Sequence, residues 1–336
     1  MKSTLLKILK FCVFLSIGVL LLYFAFKGID LENIKEDFRN ARYNWVLLSL
    51  VFALLAFVSR AIRWNILIEP LNYKPRLTNT FYSLMMGYLA NFAFPRLGEV
   101  TRCASLAKKE KIPVDKLFGT VIVERVIDLF SLLILLVILI IFRFEKFGAF
   151  FSEIIFIPLG EKITNTLEFS TFVWLGLIGI FIAIPALYLI FREKLSNLKI
   201  IRKIKDIIKG IIEGLKTVYK MKKRGAFIFH SLFIWANYWA MTWVVVFALP
   251  TTAHLGIMDG LFLLVIGGLA MAAPVQGGIG AYHWIVSRGL LNVYDGIGLE
   301  DGLVFATLSH GSQAILIIIL GTISFLMLIR RKKALN

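Results

Sequence analysis

Asn91-Phe-Ala-Phe-Pro95-Arg96-Leu-Gly98-Glu99-Val-Thr-Arg102 closes one apolar run, Phe81 to Phe94, and opens a charged one. The apolar run is short for a bilayer crossing, which takes about 20 residues. It stops at a proline, turns at a glycine, and sets Arg96, Glu99 and Arg102 three residues apart, on one face of the helix that follows. Two arginines and a carboxylate beside membrane-depth residues persist only where they line a polar cavity or are buried in protein. The stretch therefore reads either as the tip of a hairpin or as an ordinary loop after a short span.

Charge decides between these readings. Lys108, Lys109, Lys111 and Lys116 come next, and a full crossing by the Phe81 run would put them outside, against the bias of lysine and arginine for the cytoplasmic side. A re-entrant hairpin keeps them inside: the run enters from the cytoplasm, breaks at Pro95 to Gly98, and returns as Glu99 to Ala107. A second break, Pro274-Val-Gln-Gly277-Gly278-Ile-Gly280, divides Leu255 to Leu291. The acidic turn after it, with Asp295, Glu300 and Asp301, has no lysine and reads as outside. This second hairpin therefore enters from the outer face.

Composition sets the class around the two hairpins. Hydrophobic residues make up 59% of the 336 and the mean hydropathy is +0.81, values that exclude an ordinary soluble domain. Apolar spans are expected at Ile8 to Phe26, Trp45 to Ile68, Phe118 to Phe142, Thr171 to Phe191, Ala226 to Leu249 and Leu303 to Ile329. Lys2, Lys7 and Lys10 precede the first span without a small-x-small cleavage site, so it reads as an uncleaved span with its N-terminus inside. Ile29 to Asn44 reads as a short interfacial helix on the outer side. Of the 38 lysines and arginines, about 25 fall in inner segments and about seven in outer ones. Both termini are then cytoplasmic.

The +17 net charge is scattered between spans, which suits anionic headgroups rather than nucleic acid. Residues 195–224 place Ile201, Ile204, Ile208, Ile211 and Leu215 at helical spacing among lysines, the pattern of a helix lying on an anionic leaflet. Cys12 and Cys103 are the only cysteines, and the four histidines are dispersed, so no disulfide framework, metal spacing or cofactor motif is present. No cofactor is expected.

The expected fold is an all-α membrane protein, one polytopic domain over 1–336 with about six transmembrane helices and two re-entrant hairpins. Span, span, hairpin, span over about 5–142 recurs over about 171–329, and an odd number of spans inverts the second unit. Inverted repeats with broken helices are the frame in which transporters hold a substrate at the membrane midplane. Glu124, Arg125 and Asp128 open the third span; they read either as a self-neutralising structural set or as the wall of the cavity that holds Arg96, Glu99 and Arg102. Arg60 and Arg63, near the inner end of the second span, either snorkel to phosphates or face that cavity. His283, one turn past the second break, is a candidate proton-linked residue that would face Glu99 if the hairpins meet.

Pro95-Arg96-x-Gly98-Glu99 with Arg102, then Glu124-Arg125-x-x-Asp128, then Pro274-x-x-Gly277-Gly278-x-Gly280 resemble the transmembrane domain of the lysylphosphatidylglycerol synthase family, flippase-like integral membrane proteins. The resemblance covers most of the chain. It implies lipid binding or translocation in a bacterial or archaeal cell membrane. Members fused to a soluble aminoacyl-transfer domain make and move aminoacylated phosphatidylglycerol; this chain ends at Asn336, a few residues past its last span, so a transporter rather than an enzyme is expected. His283 stands about where the family commonly carries a glutamate, a departure from its pattern.

The function expected is binding and translocation of an anionic lipid or lipid-linked precursor. Arg96, Arg102 and Arg125 would hold the phosphate, because guanidinium forks bind it bidentately, and Glu99, Glu124 and Asp128 would orient them. Partners are then membrane lipids, with a homo-oligomer or a partner enzyme left open. The alternative is a non-transporting membrane subunit that docks a separate lipid-modifying or glycan enzyme through its basic inner helix.

Overall fold

The computed structural model describes residues 16–26, 31–94, 97–151, 219 and 221–329. The expected span at Thr171 to Phe191, nearly all of the basic helix at 195–224, and the residues Pro95 and Arg96 lie outside the described residues.

Among the described residues the regular structure is helical throughout: α1 Ser16–Phe26, α2 Leu31–Asn40, α3 Tyr43–Ile68, α4 Leu77–Ala93, α5 Gly98–Glu110, α6 Val114–Phe151, α7 Arg224–Val244, α8 Ile257–Met271, α9 Ala281–Val293, α10 Leu299–Ala306 and α11 Ser312–Ile329. Four stretches are long and apolar enough to cross a membrane, Tyr43–Leu71, Val114–Lys146, Arg224–Ala248 and Leu299–Ile329. They match four of the six spans expected from the sequence. The last is continuous only through a π-helical segment at Thr307–Gly311, which joins α10 to α11. α6 outruns the span expected to end at Phe142: the chain continues as helix to Phe151 after non-helical dihedrals at Arg143 (φ −139°, ψ 39°).

α3 and α7 form the central pair. Five small residues, Ser49, Ala53, Ala56, Ser59 and Ala61, are among those that α3 buries, and small side chains let a neighbouring helix approach closely. The Ser59 hydroxyl meets His230 Nδ1 of α7 at 2.8 Å. At the far end of the pair, the Arg42 amide donates to the Ala248 carbonyl at 2.8 Å.

Each central helix leads into an antiparallel helical hairpin. α4 and α5 are 17 and 13 residues long, about 25 and 20 Å at 1.5 Å per residue. A Cβ on Gly98 would stand 2.5 Å from the Gly87 carbonyl oxygen, so this glycine pair lets the two backbones touch. The Gly98 amide donates to Asn91 Oδ1 at 2.7 Å and closes the hairpin across its tip. At its base, the Asn79 amide group donates to Glu110 at 2.5 Å.

α8 and α9 make the other hairpin. Its tip needs left-handed backbone, supplied by Gly277 (φ 56°), Gly278 (φ 76°) and Gly280 (φ 83°). The two tips touch, since a Cβ on Gly277 would lie 2.4 Å from the Phe92 ring.

Packing partners recur in the two halves. α4 lies on α11 as α8 lies on α6, and α5 lies on α6 as α9 lies on α10. The largest apolar core sits in the second half around Phe262, Val265, Ile266 and Phe305.

Candidate functional site

The densest charge in the described residues is buried between α3, α5 and α6. Arg60 and Arg63, three apart on α3, face inward together with Trp64. Glu124 of α6 is the hub, with 1% of its side chain exposed. Its Oε1 accepts from Arg60 Nη2, and both its oxygens accept from Arg102 Nη1, at 3.3 and 3.2 Å. Arg63 Nη2 lies 3.6 Å away. One turn along α6, Asp128 accepts from Arg60 at 3.1 Å and from Arg63 at 2.7 Å. Glu99 pairs with Arg125 at 2.8 Å on the more open side of the cluster.

Neighbouring side chains complete the cage. Arg60 Nη1 donates to the Tyr238 hydroxyl at 2.9 Å and Arg63 Nη1 to the Ser231 hydroxyl at 3.3 Å. The Arg102 guanidinium sits 4.8 Å from the centre of the Trp64 ring, a cation–π distance. That ring is itself anchored, its Nε1 donating to the Thr120 hydroxyl at 2.9 Å.

The cluster is oversupplied with donors. Arg60 Nε, Arg63 Nε, Arg102 Nε and Arg102 Nη2 are buried and make no hydrogen bond. Four arginines meet three carboxylates, a net charge of +1 for the described members. A buried donor left without an acceptor is costly, and more so on a charged group. The arrangement is thus suited to receive one more anionic acceptor.

Several expected residues meet here as the sequence suggested. Glu99 and Arg102 both turn toward α6, one to Arg125 and the other to Glu124. Within the set of Glu124, Arg125 and Asp128, the contact of Arg125 with Asp128 is the weakest, at 4.0 Å, while Glu99 holds the Arg125 guanidinium at 2.8 Å. Arg60 and Arg63 do not snorkel; their side chains are 7% and 0% exposed, so of the two readings the inward one holds. Their three-residue spacing inside a long apolar helix was the signal available for their inward role. Tyr238 and Ser231 carried no such signal.

His283 belongs to a separate group at the second tip. Its ring meets that of His310 edge-on at 5.4 Å, while His310 stacks on Tyr282 at 5.0 Å and contacts the Gly277 carbonyl through Nε2 at 2.8 Å. His283 Nδ1 is buried without a hydrogen-bond partner. His310 sits in the π-helical segment, which sequence reasoning overlooked. Among the described residues no group of three or more metal-ligating side chains comes together.

A family model described as the lysylphosphatidylglycerol synthase TM region matches residues 8–321. The chain belongs to this family. It is also similar to a UPF0104 membrane protein of Methanocaldococcus jannaschii, 33% identical over 125 residues, which is 36% of this chain and 37% of that one. The matched stretch therefore spans little more than a third of that relative. No solved structure matches the chain. As a member of the family with four described membrane-length helices, the protein is an integral membrane protein. The arginine–carboxylate cluster draws on both charged motifs of the first half, through Glu99 and Arg102 of one and Glu124, Arg125 and Asp128 of the other.

Proposed function

We propose that the protein binds an anionic lipid by its phosphate at the Arg60, Arg63, Arg102 and Glu124 cluster and moves it between leaflets. The observation that carries this reading is the set of four buried guanidinium nitrogens without acceptors. A phosphate supplies acceptor oxygens and a negative charge in the geometry arginine favours. Recurrence of the packing partners in the two halves supports an inverted repeat, and helices of 17 and 13 residues support a first hairpin that enters the membrane and returns.

The test is reconstitution of the purified chain in liposomes containing fluorescent phosphatidylglycerol, followed by quenching from outside. Translocation by the chain alone supports the reading; its absence favours a subunit that only docks a partner enzyme. Arg102→Gln should weaken phosphatidylglycerol binding by about 10- to 100-fold, the worth of one or two charge-assisted hydrogen bonds. An unchanged affinity would remove the cluster from the reading.

The membrane course has its own check. Cysteines introduced at Lys109 and Lys222 should react with an impermeant thiol reagent only from the cytoplasmic side, and one at Asp301 only from outside. Reaction at position 109 from outside would make α4 a full crossing and end the inverted-repeat proposal.

A further inference from the structure

Arg288 carries its charge in the second hairpin, seven residues past Ala281 on α9, about 10 Å along the helix. In the proposed inverted repeat the touching tips lie near the midplane, so this level falls inside the hydrocarbon, whose half-thickness is about 15 Å. Arg288 Nη1 is buried and makes no hydrogen bond. Among the described residues no carboxylate pairs with it. Asp259 of the neighbouring α8 is already held by Lys146 at 3.2 Å and by the Tyr294 hydroxyl at 2.9 Å, and Asp301 of α10 caps its own helix through the Gly298 amide.

The side chain does not reach outward. Its guanidinium lies 4.8 Å from the centre of the Trp284 ring, one turn nearer the tip, whereas an arginine that only served the interface would extend toward the headgroups. Trp284, Arg288 and Asn292 recur at every fourth position and form one stripe along α9. All three are half-buried and Leu291 beside them is 41% exposed, so the stripe is open to a lipid from the side.

We infer that this stripe is a second phosphate site: the phosphate of a phospholipid drawn below headgroup level sits on the Arg288 fork, its glycerol against the Trp284 ring and its headgroup toward Asn292. The site rests on the proposed membrane course but not on lipid binding at the arginine cluster. An unpaired arginine in hydrocarbon is costly. A lipid phosphate offsets that cost with acceptors in the geometry that a guanidinium favours.

The test is a calorimetric titration of the purified full-length protein in detergent with short-chain phosphatidylglycerol, in which the wild type should show two sites. Arg288→Gln should weaken one of them about tenfold or more, the worth of one charge-assisted hydrogen bond, and Arg102→Gln the other. Arg288→Lys, which keeps the charge without the fork, should weaken the same site severalfold. Arg288 has no acidic partner to lose, so Arg288→Gln should unfold at the wild-type temperature or above it; earlier unfolding would make the residue structural and overturn the inference. Short-chain diacylglycerol, which lacks the phosphate, should not displace the lipid. A titration unchanged by Arg288→Gln, or equal displacement by diacylglycerol, overturns the site and leaves the arginine cluster untouched. Full displacement by millimolar inorganic phosphate would assign the site to free phosphate and overturn the lipid. If Arg102→Gln has no effect while Arg288→Gln removes a site, the reading of the cluster falls and this site stands.

Discussion

Glu124→Ala is expected to lower folding stability by about 3–5 kcal/mol, the usual cost of removing one partner from a buried ion pair. The reason is local. Glu124 takes hydrogen bonds from Arg60 and Arg102 and lies 3.6 Å from Arg63; without it, the buried Arg102 loses its carboxylate partner and Asp128 alone remains to pair with Arg60 and Arg63. Unfolding followed by denaturant titration in mixed micelles measures the loss. Glu124→Gln keeps the shape and removes only the charge, so it should fall between the wild type and alanine. Added phosphatidylglycerol should recover part of the loss in Glu124→Ala, since binding to the folded state stabilises it by mass action. A loss below about 1 kcal/mol would place the pair in the range of solvent-exposed ion pairs and contradict its burial.

Gly98→Ala is expected to cost more than one methyl group ordinarily does, about 1–3 kcal/mol from overpacking, and to disturb lipid binding as well. The added Cβ would stand 2.5 Å from the Gly87 carbonyl oxygen and 2.6 Å from Asn91 Nδ2. Both are held in place, one by the α4 backbone and the other by the bond that closes the tip. α5 must then shift away from α4, and Arg102, one turn along α5, moves with it relative to Glu124. Gly119→Ala in α6 is the matched control. Nothing lies within 4 Å of its added methyl, and alanine is the better helix former, so stability should stay the same or rise by up to about 1 kcal/mol. Equal stability of the two variants in thermal unfolding would show that the hairpin is not packed backbone to backbone.

Much of the fold was legible because the bilayer makes harsh demands of a sequence. A span needs an uninterrupted apolar run, so Trp45 to Ile68 and Ala226 to Leu249 stand out without any knowledge of their neighbours. The breaks were legible for a related reason: Gly277, Gly278 and Gly280 adopt positive φ, which other residues rarely do. The length of α6 was not legible. Arg143, Glu145 and Lys146 look like loop residues, yet the helix continues through them, where Lys146 reaches Asp259 at 3.2 Å.

The site was half visible. Glu99, Arg102, Glu124, Arg125 and Asp128 announce themselves as charges where charges are expensive, and two spacings, Glu99 to Arg102 and Glu124 to Asp128, assign them to shared helix faces. The direction of Arg60 and Arg63 was undecided, because a long side chain near a helix end can snorkel outward or turn inward at similar expense. Pairing across α3, α5 and α6 was likewise hidden. Helical spacing says nothing of which residue 20 or 60 positions away will stand opposite, so the hold of Glu99 on Arg125 could not be read from it.

By itself, then, the sequence determined the class of the protein, the places of four of its spans and the residue types at its charged centre, since each follows from the local cost of putting backbone or charge into hydrocarbon. Only the tertiary structure decided that Glu124 is the hub of three arginines, that Arg60 and Arg63 belong to it, and that His283 lies beside His310. Those depend on which helix packs against which, a choice set by small residues along α3 and at Gly87 and Gly98 that permit close approach without naming the partner.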